Sequence, residues 1–148
     1  MKLDSILVSV TGEPTDDDVL VIASSLARRF DSKIYAIYVI EVKRALPIDA
    51  EIEPEIEKGE RLLDRVEQDC EAAQISVETE LLQARDIGAA IVDEAVERNV
   101  DGIVLGISQR RRPSESELGT TATYLLKNAP CRVWLARAPQ GREVQPRR

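Results

Sequence analysis

Five short apolar runs, at residues 4–10, 33–40, 76–83, 102–107 and 131–137, alternate with segments of helical periodicity, and this alternation constrains the fold more than any other feature. The run KIYAIYVI at 33–40 is nearly unbroken, as in a strand covered by helices on both faces of a parallel sheet. Between the first two runs, Val19, Ile22, Ala23, Leu26 and Phe30 recur at helical spacing, with Thr15 or Asp16 suited to the N-cap and acids in the first turn. Pro54 suits the first turn of a second helix reaching about residue 74, whose stripe is Ile56, Leu63, Val66, Cys70 and Ala73. Ile87, Ile91 and Ala95 mark a third helix, starting at Asp86 and ending near Asn99, and Gly119 opens a fourth that runs to about Asn128. Every crossover is long enough to return right-handed, so the expected fold is α/β: an open five-stranded parallel sheet, Rossmann-like, with helices on both faces. One domain is expected over residues 1–138, and residues 139–148 carry no core pattern and read as a disordered tail.

Composition removes whole classes of chemistry. The chain has no histidine, which excludes the Ser-His-Asp triad, histidine metal sites and the commonest general base. Cys70 and Cys131 lie far apart, without zinc or redox spacing, and read as small buried hydrophobes. Residues 1–108 hold 11 basic and 24 acidic side chains, whereas residues 109–148 hold 9 and 3. An acidic body of this kind argues against a nucleic-acid partner. No apolar run is long enough to span a membrane and no leader pattern opens the chain, so a cytoplasmic protein without membrane insertion is expected.

In open α/β sheets, ligands bind beyond the carboxyl ends of the strands, where the winding direction reverses. That points to Thr11 and Gly12, to residues 39–41, and to residues 106–121. The last of these segments is a strand end, a polar loop and a helix start, which suits an anion. Gly106 lets a ligand approach the backbone, the amides of Gly119, Thr120 and Thr121 point from a helix N-terminus, and Arg110, Arg111 and Arg112 add positive charge. The plain alternative is that Gly106 relieves a strand exit, Gly119 caps a helix and the arginines are solvated. A phosphorylatable receiver domain is excluded, because the run Asp16, Asp17, Asp18 lies inside the first helix and serves as favourable charge at its start.

The same segment resembles the universal stress protein family, whose nucleotide-binding members carry Gly-x2-Gly-x9-Gly-Ser/Thr at this junction. Gly106 stands at the first glycine, Gln109 replaces the second, and Gly119-Thr120 close the pattern at the family's spacing. SILVSVTG and YVIEV resemble the family's first and second strands and NAPCRVWLAR its closing helix and strand, so the likeness spans the ordered chain and implies the adenine nucleotide alpha hydrolase-like fold. It further implies a stress-response domain that is not an enzyme. ATP or AMP would be bound with Val39 against the adenine, Thr11 near base or ribose, Gly106 at ribose and phosphates, and Gly119, Thr120 and Thr121 on the phosphate chain. Arg110 would contact phosphate beside Gln109, and magnesium would enter only with a triphosphate; Glu115 and Glu117 read as solvated. The nucleotide-binding members usually place an aspartate where this chain has Thr11.

Two functional readings stay open on these residues. One is adenine-nucleotide binding. The other is an interaction module without nucleotide, a homodimer pairing its fifth strand through Val133, Trp134 and Leu135, with a membrane transporter as a further partner that the resemblance suggests. The competing role for Trp134 is to cover the last helix within one subunit. Enzymes of the related nucleotide-activating superfamily need a Ser-Gly-Gly-x-Asp-Ser loop or a His-Ile-Gly-His motif, and the chain has neither.

Overall fold

The computed structural model describes residues 1–108 and 118–139. Gln109, Arg110, Arg111, Arg112, Glu115, Glu117 and the tail beyond residue 139 lie outside the described residues, and with them the expectations attached to those positions.

The elements follow one another as β1 (Ser5–Ser9), α1 (Thr15–Phe30), β2 (Lys33–Glu41), α2 (Glu53–Ala72), β3 (Val77–Ala84), α3 (Ile87–Glu97), β4 (Gly102–Gly106), α4 (Gly119–Asn128) and β5 (Arg132–Ala136). The strands form one parallel sheet in the order β3-β2-β1-β4-β5. The chain winds outward from β1 through β2 to β3, then crosses to the far side of β1, so β1 and β4 flank the reversal. Because strand residues point alternately to opposite faces, Ile6, Val8, Ile34, Ala36, Tyr38 and Val104 join the layer under α1 and α2. Leu7, Ile37, Val39, Ile103 and Leu105 join the opposite layer, under α3 and α4.

Helix ends explain where several elements stop. Asp31 and Asn99 adopt left-handed backbone just beyond α1 and α3, the conformation that ends a helix, and Asn tolerates it better than most residues. Asp86 caps α3 by accepting the Ala89 amide at 3.0 Å. The start of α1 differs from expectation. Pro14 holds the N-cap position with no side-chain cap, Thr15 is buried as the first helical residue, and Asp16 reaches back to the amides that follow β1. The buried stripe of α1 is Val19, Ala23 and Ala27, and Ile22, Leu26 and Phe30 are only half-buried along its margin. Cys70 is buried, but Cys131 is half-buried at the edge of the α3 and α4 layer, which corrects its expected full burial.

Glycines mark two close approaches. A Cβ on Gly59 would meet the Tyr38 ring and Leu81 Cδ1 (2.8 Å), so α2 lies directly on β2 and β3 there. A Cβ on Gly102 would come 2.5 Å from Trp134 Cζ3 and 3.2 Å from Leu3 Cδ1. Trp134 thus packs within the subunit on the α1 side of the sheet, over Gly102 and not over the last helix, and it is half-buried. On the other face Arg98 forms ion pairs with Glu78, Glu80 and Glu94 while its guanidinium lies 4.7 Å from the centre of the Tyr35 ring. Among the described residues no helix is long and apolar enough to cross a membrane.

Candidate functional site

Two adjoining cavities open at the carboxyl ends of β1, β2 and β4 and share Ser9, Thr11 and Ile87. The larger, about 520 Å³, is walled mainly by apolar side chains, among them Val39, Ile40, Leu46, Ile52 and Ile87. A volume of that order is typical of small-molecule sites, where apolar walls carry the binding and a few polar groups orient the ligand. Its polar rim includes Glu41, Lys43 and the Tyr38–Glu55 pair, in which the phenol donates to Glu55 Oε2 at 2.6 Å. Burial, then this bond to a carboxylate, pushes the Tyr38 phenol well above its ordinary pKa, so it stays a donor.

The outer wall of this cavity is the segment between β2 and α2, which β3 holds in place. Gln83 Nε2 donates to the carbonyls of Ile48 and Ala50, both at 2.9 Å, and Arg85 Nη1 donates to the Lys43 carbonyl at 2.6 Å. Side-chain donors satisfy carbonyls that neither helix nor sheet reaches, and Leu46 and Ile52 are thereby carried to the cavity.

The smaller cavity, about 270 Å³, has an apolar floor that includes Leu105, Leu118 and Ala122, with polar groups set around it. Glu13, Gly106, Ser108, Gly119, Thr120 and Thr121 line it. Helix α4 begins at Gly119, whose φ of +80° is left-handed, and Leu118 before it offers no side-chain cap to the first-turn amides. A Cβ at Gly119 would meet nothing within 4 Å, so this glycine is required by its backbone conformation and its open side faces the cavity. Gly106 differs. A Cβ there would touch Thr15 Cβ at 3.1 Å and Val19 Cγ2 at 3.2 Å, so its missing side chain makes room for α1, while its backbone borders the cavity.

Thr11 joins the two cavities at the end of β1. Its amide donates to both Asp16 carboxylate oxygens at 3.1 Å, its hydroxyl lies 3.2 Å from Asp16 Oδ1, and the Gly12 amide donates to Asp16 Oδ2 at 2.8 Å. Burial pushes the Asp16 carboxyl above its ordinary pKa, opposed by the hydrogen bonds from Gly12 and Thr11. Glu13 completes the turn: its Oε1 accepts the Ser108 hydroxyl at 2.8 Å, linking the β1 end to the β4 end.

Of the residues singled out from sequence, Thr11 and Val39 line the larger cavity, and Thr11, Gly106, Gly119, Thr120 and Thr121 line the smaller one. Val133, Trp134 and Leu135 lie on β5, away from both cavities. Sequence reasoning did not single out Glu13, Asp16 or Ile87 as site residues, and it placed Ser108 only within the ligand-facing segment 106–121, without a role. For Glu13 a signal existed, since it follows directly on Thr11 and Gly12, already marked as ligand-facing.

Residues 2–137 match the model of the Universal stress protein family. A universal stress protein of Methanocaldococcus jannaschii is 28% identical over 141 residues, covering 91% of this chain and 82% of that protein. Among solved structures, a universal stress protein from Archaeoglobus fulgidus in complex with dAMP superposes with a TM-score of 0.71 at 20% identity, covering 92% of this chain and 99% of that one. One from Arabidopsis thaliana with AMP bound superposes with a TM-score of 0.70 at 20% identity, covering 92% of each chain.

Proposed function

The chain belongs to the universal stress protein family, and on that premise we propose that it is a regulatory domain that binds an adenine nucleotide across the two cavities without turning it over. The base lies in the apolar cavity against Val39, the ribose near Thr11, and the phosphate end reaches the α4 N-terminus at 119–121. The observation that carries this reading is the adjacency of an apolar cavity of about 520 Å³ to a smaller one bordered by the hydroxyl residues Ser108, Thr120 and Thr121 and by the N-terminus of α4. A flat apolar base and an anionic end need these two environments side by side. The dAMP and AMP complexes of proteins with this fold support it.

Mass spectrometry of the denatured, freshly purified protein tests the reading directly, with adenine nucleotide expected, and ATP incubated with the protein should remain intact on chromatography. Gly119→Val should abolish binding in calorimetry, because the branched side chain enters the smaller cavity and the residue resists φ near +80°. Neither co-purified nucleotide nor binding of added AMP or ATP would overturn the proposal.

A second reading, association through β5, is favoured by one observation: β5 ends the sheet with only β4 beside it, and Val133, Trp134 and Leu135 are half-exposed there. Antiparallel pairing of two such edges about a two-fold axis satisfies backbone groups that are otherwise open. Sedimentation of wild type against Val133→Arg tests it, a dimer reduced to monomer being the expected outcome.

A further inference from the structure

The smaller cavity that a phosphate chain would enter has a carboxylate in its wall. Glu13 is fixed there by the Ser108 hydroxyl at 2.8 Å, with its second oxygen 3.5 Å from Thr11 Oγ1. The two amides that follow β1 are the groups best placed to receive an anion at that strand end, and both donate to Asp16. Among the described residues lining this cavity none is lysine or arginine. We infer that Glu13 sets the number of phosphates the cleft accepts: it favours a nucleoside or nucleoside monophosphate over a polyphosphate.

The physical ground is repulsion between like charges in a partly enclosed space, where screening is weaker than in bulk water. A monophosphate brings about −1.5 to −2 charges, and each further phosphate adds to what Glu13 opposes, whereas a nucleoside brings none. The hydrogen bond from Ser108 keeps the carboxylate from swinging into solvent as phosphate arrives. Asp16 strengthens the effect, because the Thr11 and Gly12 amides that would offset it are already engaged.

This inference rests on the nucleotide reading above, and the experiment separates the two. Calorimetric affinities for adenosine, AMP and ATP are measured in EDTA for wild type, Glu13→Gln and Glu60→Gln, the last an equal charge change at an exposed position of α2 outside the cleft. Circular dichroism verifies folding of each variant. Wild type should bind adenosine and AMP more tightly than ATP. Glu13→Gln should raise ATP affinity about tenfold, which corresponds to about 1.4 kcal/mol, while changing adenosine affinity less than threefold, and Glu60→Gln should leave the ratio alone. A wild type that prefers ATP, or a Glu13→Gln variant whose ATP-to-adenosine ratio stays put, overturns the inference with nucleotide binding intact. Absence of binding by all three ligands removes the nucleotide reading and this inference with it.

Discussion

Asp16 shows how much one side chain can alter a strand end. By sequence it is one of three acids in the first turn of a helix, and favourable interaction with the helix dipole accounts for Asp17 and Asp18, which are exposed. Asp16 alone turns back to gather the Thr11 and Gly12 amides, so the turn after β1 is braced from within. Because burial raises its pKa, the native state holds the Asp16 proton more tightly than the unfolded chain does. Its linkage term therefore lowers stability as pH rises from the ordinary aspartate value of about 4 through the raised value, and it favours the native state at the acid end of that window. Urea titrations of wild type and Asp16→Asn from pH 4 to 6.5 should show the wild type losing this increment with rising pH and the variant lacking that slope. At Gly119 the demand is conformational only, so Gly119→Ala should cost about 1–2 kcal/mol in the same assay, with no steric contribution from a Cβ that meets nothing.

At the scale of elements, helices approach the sheet where glycine permits it, and the cleft inherits its shape from those approaches. Gly59 lets α2 settle on Tyr38, and Tyr38 and Glu55 together form part of the apolar cavity's rim. Gly59→Ala forces α2 or the Tyr38 ring to move. We expect a loss of about 1–3 kcal/mol, the usual range for overpacking, together with weaker nucleotide binding, measured by urea denaturation and calorimetry. The opposite face is tied by charge: Arg98 draws Glu78 and Glu80 of β3 to Glu94 of α3, so the edge strand and its following helix behave as a unit. The β2–α2 segment makes turn bonds of its own, the Leu46 amide to the Lys43 carbonyl and the Ala50 amide to the Pro47 carbonyl, but it is tied to the sheet through Gln83, which donates to the carbonyls of Ile48 and Ala50. That tie to a distant strand is why its sequence reads only as an irregular acidic connection.

For the whole molecule, a ligand in the paired cavities would bridge the ends of β1, β2 and β4 with the start of α4, elements from both halves of the winding. Binding to the native state alone should therefore register globally. At a ligand concentration 100 times the dissociation constant the gain is about 2.7 kcal/mol, or a rise in Tm of roughly 5–10 °C for a chain of this size, read by differential scanning fluorimetry with AMP. Gly119→Val should lose that rise.

The alternation of apolar runs and helical periods was enough to specify the parallel sheet, its element order and the end at which a ligand would sit, because hydrophobic burial at a fixed period is a local property of the chain. It also identified Thr11, Val39 and residues 119–121 as cleft residues, since strand ends and a glycine-opened helix are marked in the sequence itself. The roles of Gly106, Trp134 and Glu13 were decided only by tertiary structure. Gly106 makes room for Thr15 and Val19 of α1, Trp134 lies over Gly102 on a neighbouring strand, and Glu13 meets Ser108 from 95 positions away. Such contacts depend on how strands are ordered across the sheet and how closely each helix settles on it, and no local pattern of residues encodes those distances.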